Sequence, residues 1–343
     1  MHAKADSGGC VHLSGQDIRG LPPGDDLTLA RLISLVESGS AQVPEIMKSL
    51  SSQTGKAYRI GITGPPGAGK STLVNGLTTL LRERGSSVAV LAVDPTSPFK
   101  GGAILGDRVR MQKHYTDEGV FIRSLATRGV KGGLTGAIGE IIDLVDAAGK
   151  NYILLETVGV GQGELDIVGH VDTVVVVLVP GTGDSIQTMK AGIMEIADIF
   201  VVNKSDLAGT DELVNNLNVT IDLVKKGEQW QIPVLKCRAD RNEGTKELLD
   251  QILWHKQLLE SHGLLEKRRG RQRLEQFHTM LEQKILEDIR SKILTEERIR
   301  VITEKIDKGE MSPYAALSLI SEMVLPSLYA KKTRNSSERR SKK

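Results

Sequence analysis

Short apolar, β-branched runs alternate with helical patterns through the middle of the chain. The runs lie at seven places: Tyr58–Thr63, Val88–Val93, Val120–Ile122, Tyr152–Thr157, Thr173–Pro180, Ile199–Asn203 and Ile232–Leu235. Strands that alternate with helices predict a mostly parallel sheet with helices on both faces. The run from Val174 to Val179 has no polar position, which is typical of a strand buried on both faces. The pattern therefore predicts an α/β fold.

Helical periodicity flanks this α/β region on both sides. Before it, Leu29, Leu32, Ile33 and Val36 form one apolar helical stripe. After it, apolar residues recur every three or four positions between charged flanks, at Leu274, Phe277, Leu281, Ile285, Ile289 and Ile293. Such a stripe needs a surface to pack on. We expect a second copy of the chain to supply it, as a homodimer, and a purely intramolecular contact is the alternative.

These patterns divide the chain into five segments. The two end segments are polar or basic and are expected to be flexible. The predicted order is a flexible lead (1–24), an N-terminal helical segment (25–56), an α/β domain (57–255), a helical dimerisation arm (256–330) and a disordered basic tail (331–343).

Composition narrows the class of protein. The chain has 343 residues, of which 39% are hydrophobic, so it can bury a core. Its 45 basic and 43 acidic residues give a net charge of +2, which argues against a nucleic-acid partner. Two cysteines, Cys10 and Cys237, cannot build a disulfide scaffold. No apolar run approaches the roughly 20 residues of a membrane span, and residues 1–20 lack a signal-peptide pattern. A cytoplasmic protein without a membrane partner is expected.

A phosphate-binding loop follows the first predicted strand. The segment GPPGAGKS at 64–71 matches the pattern of that loop and stands between a strand and a helix. Its backbone N–H groups can surround phosphate oxygens, and the helix N-terminus adds positive potential. The strand and the helix disfavour a chance glycine turn. We predict a P-loop NTPase whose nucleotide contacts come from Gly64, Pro65, Pro66, Gly67, Ala68, Gly69, Lys70, Ser71 and Thr72.

A second motif indicates which base is bound. The segment Asn203, Lys204, Ser205, Asp206 follows an apolar strand and fits the N-x-x-D form of a guanine-reading loop, with lysine second. A carboxylate at Asp206 accepts hydrogen bonds from the ring N–H and the exocyclic amine of guanine. Adenine presents an acceptor there and would leave the carboxylate unpaired. Asn203 would brace the loop and the Lys204 stem would cover the base. Further base contacts are predicted from the next loop, at Cys237, Arg238 and Ala239.

Three acidic residues are candidates for magnesium binding beside the Ser71 hydroxyl. Asp94 and Glu156 each end a predicted strand, and Asp107 lies in a glycine turn. An acid at the carboxyl end of a strand beside a phosphate loop can hold Mg²⁺ directly or through water. Gly159 can offer its N–H to the γ-phosphate. For each acid, a solvent-facing role is the alternative. Lys70, Asp107 and Glu156 are the predicted catalytic residues.

Together these motifs resemble one family. The chain is similar to the GTPase metallochaperones of adenosylcobalamin-dependent acyl-CoA mutases, the methylmalonyl-CoA mutase-associated (MeaB/ArgK-like) group, whose bacterial members have carried an older label of arginine/ornithine transport-system kinase. The resemblance covers roughly residues 25–330. It rests on the segments GITGPPGAGKST (61–72), AVDPTSP (92–98), GGAILGDR (101–108), ETVGVGQ (156–162), NKSD (203–206) and MSPYAA (311–316).

The resemblance implies a GTPase that binds GTP, GDP and Mg²⁺ and gates cofactor loading and protection of a partner mutase. It implies that Asp94, Asp107 and Glu156 take part in magnesium binding or hydrolysis, and that 181–190 is a switch loop facing the partner. Hydrolysis is expected to be slow without that partner, and a cobalamin adenosyltransferase is a further partner that the resemblance suggests. Two positions depart from the family pattern: Gly163 stands where many relatives have serine, and the loop Cys237–Ala239 replaces the usual small residues. The identity of the partner mutase therefore stays open among methylmalonyl-CoA, isobutyryl-CoA and 2-hydroxyisobutyryl-CoA mutases.

Three other functions are alternatives. A nickel-insertion GTPase of the same fold needs a store of histidine and cysteine ligands, but the seven histidines are scattered and the two cysteines lie far apart. An ATP-dependent kinase of a transport system conflicts with Asp206, and the chain has no kinase catalytic-loop motif. A non-enzymatic binding module would leave Lys70 and Glu156 without a role.

Overall fold

A computed structural model of the chain describes residues 24–94, 112–126, 137–157, 169–181, 193–224, 230–292 and 296–329. Within these ranges the sheet has seven strands, all parallel, in the order β3-β2-β4-β1-β5-β6-β7. The strands are β1 (Tyr58–Thr63), β2 (Val88–Asp94), β3 (Val120–Ala126), β4 (Tyr152–Thr157), β5 (Thr173–Leu178), β6 (Ile199–Val202) and β7 (Val234–Lys236). Each predicted run contains or overlaps one strand, and the predicted α/β fold is confirmed.

Helices precede, cover and follow this sheet. The described α-helices are α1 (Asp26–Glu37), α2 (Val43–Leu50), α3 (Lys70–Glu83), α4 (Ile138–Ala147), α5 (Ile193–Ile196), α6 (Thr210–Val224), α7 (Thr245–Ser261), α8 (Leu264–Lys292), α9 (Glu296–Asp307) and α10 (Pro313–Tyr329). No helix of the described ranges is long and apolar enough to span a membrane.

Two hydrophobic clusters fill the opposite faces of the sheet. Residues of α1, α2, α4 and α6 pack on one face, and residues of α3 and α7 pack on the other. Successive residues of β5 belong to alternate clusters: Val174 and Val176 to the first, Val175 and Val177 to the second. This two-sided burial explains why β5 reads as an uninterrupted apolar run.

Strand β3 continues four residues beyond its predicted end at Ile122. The apolar run ends there because the next residue, Arg123, is charged. Among the described strands, β3 is an edge strand that pairs with β2 alone. The Arg123 guanidinium donates to the Glu37 carboxylate and the Ser34 hydroxyl of α1, so a charged residue is accommodated within the strand.

The chain divides into two compact units, 1–272 and 273–343. In the first unit, β1 is the central strand, with β4 on one side and β5 on the other. The chain first builds the sheet toward the β3 edge and then returns to build it toward the β7 edge. The carboxyl end of β1 is therefore the point where the strand order reverses, which is where open α/β sheets bind ligands. The second unit contains the later part of α8, together with α9 and α10.

Candidate nucleotide site

The segment from Gly64 to Gly69 connects β1 to α3 at the centre of the sheet. Gly64 has a φ of +137°, and a Cβ at that position would overlap the Val177 carbonyl oxygen and lie 3.0 Å from the carbonyl carbon. Only glycine can therefore pass this close to β5. Helix α3 begins at Lys70 without a side-chain cap, because its N-cap residue is Gly69. The first amides of α3 thus point into the loop region with no side chain competing for them.

The Lys70 side chain folds back over this loop. Its Nζ donates to the carbonyl oxygens of Gly64, at 2.6 Å, and Pro65, at 2.9 Å. The side chain is buried, with 6% of Lys70 exposed. A positive charge is therefore held against the same loop whose glycines leave backbone amides available to an anion.

A buried hydroxyl and a buried carboxylate meet beside the loop. Ser71 Oγ donates to Glu156 Oε1 at 2.6 Å, and both residues are less than a tenth exposed. Glu156 lies near the end of β4, in register with Ile62 of β1 and Ala92 of β2. Hydroxyl and carboxylate oxygens are the ligands that Mg²⁺ accepts in proteins. The donor set therefore fits a magnesium ion, which Ser71 and Glu156 would hold.

The other predicted metal and γ-phosphate residues are only partly described. Asp94 ends β2, which neighbours β4, so its backbone lies at the same edge of the sheet as Glu156. The Asp94 side chain, Asp107 and Gly159 lie outside the described residues, as does 182–190 of the predicted switch loop.

Asn203 connects three loops at the carboxyl ends of the strands. Its Nδ2 donates to the Ala68 carbonyl at 2.7 Å, and its Oδ1 accepts the Ala239 N–H at 3.0 Å. Asn203 is 2% exposed, and a Cβ at Gly69 would overlap its amide nitrogen. The buried Asn203 side chain lies on the loop after β6, and its hydrogen bonds thus join that loop to the phosphate loop and to the loop after β7.

Backbone contacts hold the two base-side loops together. The Ser205 N–H donates to the Cys237 carbonyl at 3.0 Å, and the Cys237 N–H donates to the Val202 carbonyl at 2.9 Å. Lys204 has a φ of +55°, so the chain turns sharply between Asn203 and Ser205. Burial raises the pKa of the Cys237 thiol to about 12, with the Glu247 carboxylate adding to the shift. Cys237 is therefore a packed, neutral residue under the loop, and its thiol donates to the Gly244 carbonyl.

The Asp206 carboxylate points toward a basic side chain that sequence reasoning did not connect with it. Asp206 Oδ1 lies 3.6 Å from Arg238 Nε, and 44% of the Asp206 side chain is exposed. The sequence predicts a base contact from the loop that holds Arg238, but no pair between Arg238 and Asp206. The available signal was the adjacency of β6 and β7, which brings the loops after them side by side.

One edge of the sheet thus carries the predicted phosphate loop, Glu156, Asn203, Asp206 and the loop Cys237–Ala239. Their order along this edge is the one expected for a bound nucleoside phosphate. Comparisons with known proteins give the class. The family model of the methylmalonyl Co-A mutase-associated GTPase MeaB matches residues 29–293. The chain belongs to the MeaB family. It is therefore a GTPase that binds guanine nucleotide, and its P-loop fold is that of the family.

Relatives from archaea, bacteria and a mammal match over most of their length. A protein of Pyrococcus abyssi named as a GTPase is 46% identical over 90% of this chain and 96% of its own. The GTPase ArgK of Escherichia coli is 34% identical over 90% and 96%. The mitochondrial methylmalonic aciduria type A homolog of Mus musculus is 34% identical over 88% and 77%. Among solved structures, a LAO/AO transport system kinase is 28% identical, with a TM-score of 0.66 over 90% of this chain and 97% of that one.

Proposed function

We propose that this GTPase is a chaperone that gates cofactor loading and protection of an adenosylcobalamin-dependent acyl-CoA mutase. The observation that carries the proposal is the family match over 29–293, since the family is named for its association with methylmalonyl-CoA mutase. The mouse relative, named for a methylmalonic aciduria, supports the same class of partner. The candidate mutases are those of methylmalonyl-CoA, isobutyryl-CoA and 2-hydroxyisobutyryl-CoA, and a cobalamin adenosyltransferase is a further proposed partner.

In this proposal, the nucleotide lies along the carboxyl edge of the sheet. The phosphates rest on the loop from Gly64 to Thr72 with Lys70 beside them, and Asp206 reads the guanine. A magnesium ion held by Ser71 and Glu156, with Asp94 and Asp107 as further ligands, would neutralise charge on the phosphate oxygens. Gly159 offers its N–H to the γ-phosphate.

We further propose that the arm is a dimerisation element. The part of the predicted apolar stripe that lies in described positions of α8 is 42–57% exposed, at Leu274, Phe277, Leu281 and Ile285. Large apolar patches on the surface mark interaction sites, and a stripe on one helix is suited to a second copy of itself. Phe277→Glu should therefore convert a dimer to a monomer in light scattering, whereas the substitution of an exposed polar neighbour, Gln283→Glu, should not. A wild-type monomer at micromolar concentration would contradict the dimer.

GTP turnover with and without a mutase tests the chaperone function. We expect slow hydrolysis by the chain alone and a clear stimulation by one of the three candidate mutases, because the partner would order the switch segments. Lys70→Ala should lose both basal and stimulated turnover while its circular dichroism stays native. Lys48→Ala, at an exposed position of α2, serves as the matched control and should behave as wild type. Equal turnover with and without every mutase would argue against partner activation.

A further inference from the structure

Arg238 is anchored by its backbone directly after the buried Cys237. Its N–H donates to the Glu243 carbonyl at 2.9 Å, and the Glu243 N–H donates back to the Arg238 carbonyl at 3.2 Å. The next residue, Ala239, donates its N–H to the buried Asn203 side chain. The starting point of the Arg238 side chain is therefore held in place on both sides, and the direction of the guanidinium is restricted.

The Arg238 guanidinium lies between two carboxylates. Its Nε is 3.6 Å from Asp206 Oδ1 and 3.4 Å from Asp240 Oδ1. The Arg238 side chain is 23% exposed, whereas Asp206 and Asp240 are 44% and 66% exposed. The Nε atom itself is buried and makes no hydrogen bond within the described part of the chain. The cation is thus more enclosed than either of its anions, and Asp206 is the more enclosed of the two.

An ion pair at this position affects how the Asp206 carboxylate can form hydrogen bonds with a base. To accept two hydrogen bonds from guanine, the Asp206 carboxylate must be ionised and must present both oxygens in one plane. Each carboxylate oxygen has two acceptor positions, so Oδ1 can face Arg238 and a base at the same time. A neighbouring cation attracts the carboxylate and restrains rotation of a side chain that is otherwise almost half exposed. When a base covers the pair, water leaves and the attraction strengthens.

We propose that Arg238 is a positioning residue for guanine recognition, which holds the Asp206 carboxylate oriented toward the base. The inference rests on the proposed guanine site and adds a residue that selects the base through another side chain. Asp240 balances the remaining charge of the guanidinium at the rim of the site. The loop after β7 therefore contributes to base recognition through a side chain as well as through its backbone.

GDP titrations of matched variants test this role. Arg238→Met keeps the length of the side chain and removes the charge, and it should weaken GDP binding by roughly two- to fivefold, as expected for an ion pair at a partly exposed site. Arg238→Lys, which keeps a cation, should recover most of that loss. Arg241→Met alters an exposed arginine of the same loop and should bind GDP as wild type does. The loss in Arg238→Met should shrink as salt rises.

A double-variant comparison separates positioning from a general loosening of the loop. Asp206→Asn should bind xanthosine diphosphate in place of GDP, and adding Arg238→Met to it should leave the affinity for xanthosine diphosphate unchanged, because no carboxylate remains to be held. If Arg238→Met binds GDP like wild type, or weakens xanthosine diphosphate binding equally in the Asp206→Asn background, the positioning role is overturned. If Asp206→Asn keeps wild-type GDP affinity, the guanine assignment itself fails and the inference falls with it.

Discussion

Replacing Gly64 with alanine tests the geometry of the phosphate loop most severely. A φ of +137° is strained for any residue with a Cβ, at a cost of about 1–3 kcal/mol. The new Cβ would also overlap the Val177 carbonyl oxygen, so the loop must move away from β5 by on the order of 1 Å to restore an ordinary contact. A misplacement of about 1 Å can cost roughly 100-fold in rate where groups must be precisely placed, and a phosphate loop that binds through its backbone amides depends on position in the same way. We therefore expect GDP affinity to fall by about that factor.

Calorimetric titration with GDP and Mg²⁺ measures the effect, and urea unfolding measures the stability of the same samples. Gly85→Ala is the matched control, because Gly85 also has a positive φ, +76°, but a Cβ added there would have no neighbour within 4 Å. It should lose about 1–2 kcal/mol of stability and no GDP affinity. If Gly64→Ala binds GDP as tightly as Gly85→Ala does, the close approach of the loop to β5 does not shape the site, and the reasoning is refuted.

Three further predictions concern buried or partly buried ionisable groups. Arg269→Met would leave the Asp172 carboxylate, which lies 2.6 Å from the guanidinium, buried without its cation. Urea unfolding should show a loss of about 3–5 kcal/mol in the free energy of unfolding for this variant, and less than about 0.5 kcal/mol for the exposed Arg271→Met. Burial raises the pKa of the Cys237 thiol to about 12. In a Cys10→Ser background, iodoacetamide at pH 8 should therefore modify Cys237 roughly a thousandfold more slowly in the folded chain than in urea, because the thiolate is the reactive form. Burial, helped by a nearby arginine, lowers the pKa of His170 to about 4, so only the unfolded chain takes up this proton between pH 6.5 and 4. Stability should therefore fall as the pH falls through that window, and His170→Asn should remove that part of the fall.

Each of these predictions has a contradicting result. Equal unfolding free energies for Arg269→Met and Arg271→Met would mean that the buried pair is dispensable. Rapid labelling of the folded chain would mean that the Cys237 thiol is accessible and ionised. An unchanged pH profile in His170→Asn would mean that this imidazole titrates normally in the folded state.

Much of the fold was predictable because the sheet is parallel and buried on both faces. Strands such as β5 have no solvent-facing positions, so their apolar runs stand out without any knowledge of their partners. The extent of β3 was predicted poorly for the opposite reason, since Arg123 lies in an edge strand and its charge is satisfied by α1, which is distant in sequence.

The phosphate loop was predictable from local sequence because its chemistry depends on residues adjacent in the chain. The contacts that join the loops were only partly predictable from local sequence. A bracing role for Asn203 follows from its motif, but its bond to Ala239 depends on β6 and β7 being neighbours. The Arg238–Asp206 pair depends on the same adjacency, and no periodicity or spacing encodes it.

The buried ion pair of Arg269 and Asp172 was not predicted at all. Arg269 lies in the charged first turns of α8, where its neighbours in sequence are more exposed, and nothing local distinguishes it from them. Its guanidinium nevertheless donates to Asp172 and to the carbonyl oxygens of Gly55 and Ala57, which only the folded chain brings together.

The most direct test of the central claim is a titration of the purified chain, in magnesium, with GDP and with ADP. The account predicts saturable binding of GDP and binding of ADP at least about 100-fold weaker, because adenine cannot donate to the Asp206 carboxylate. Equal affinity for the two nucleotides, or no uptake of GDP, would contradict it.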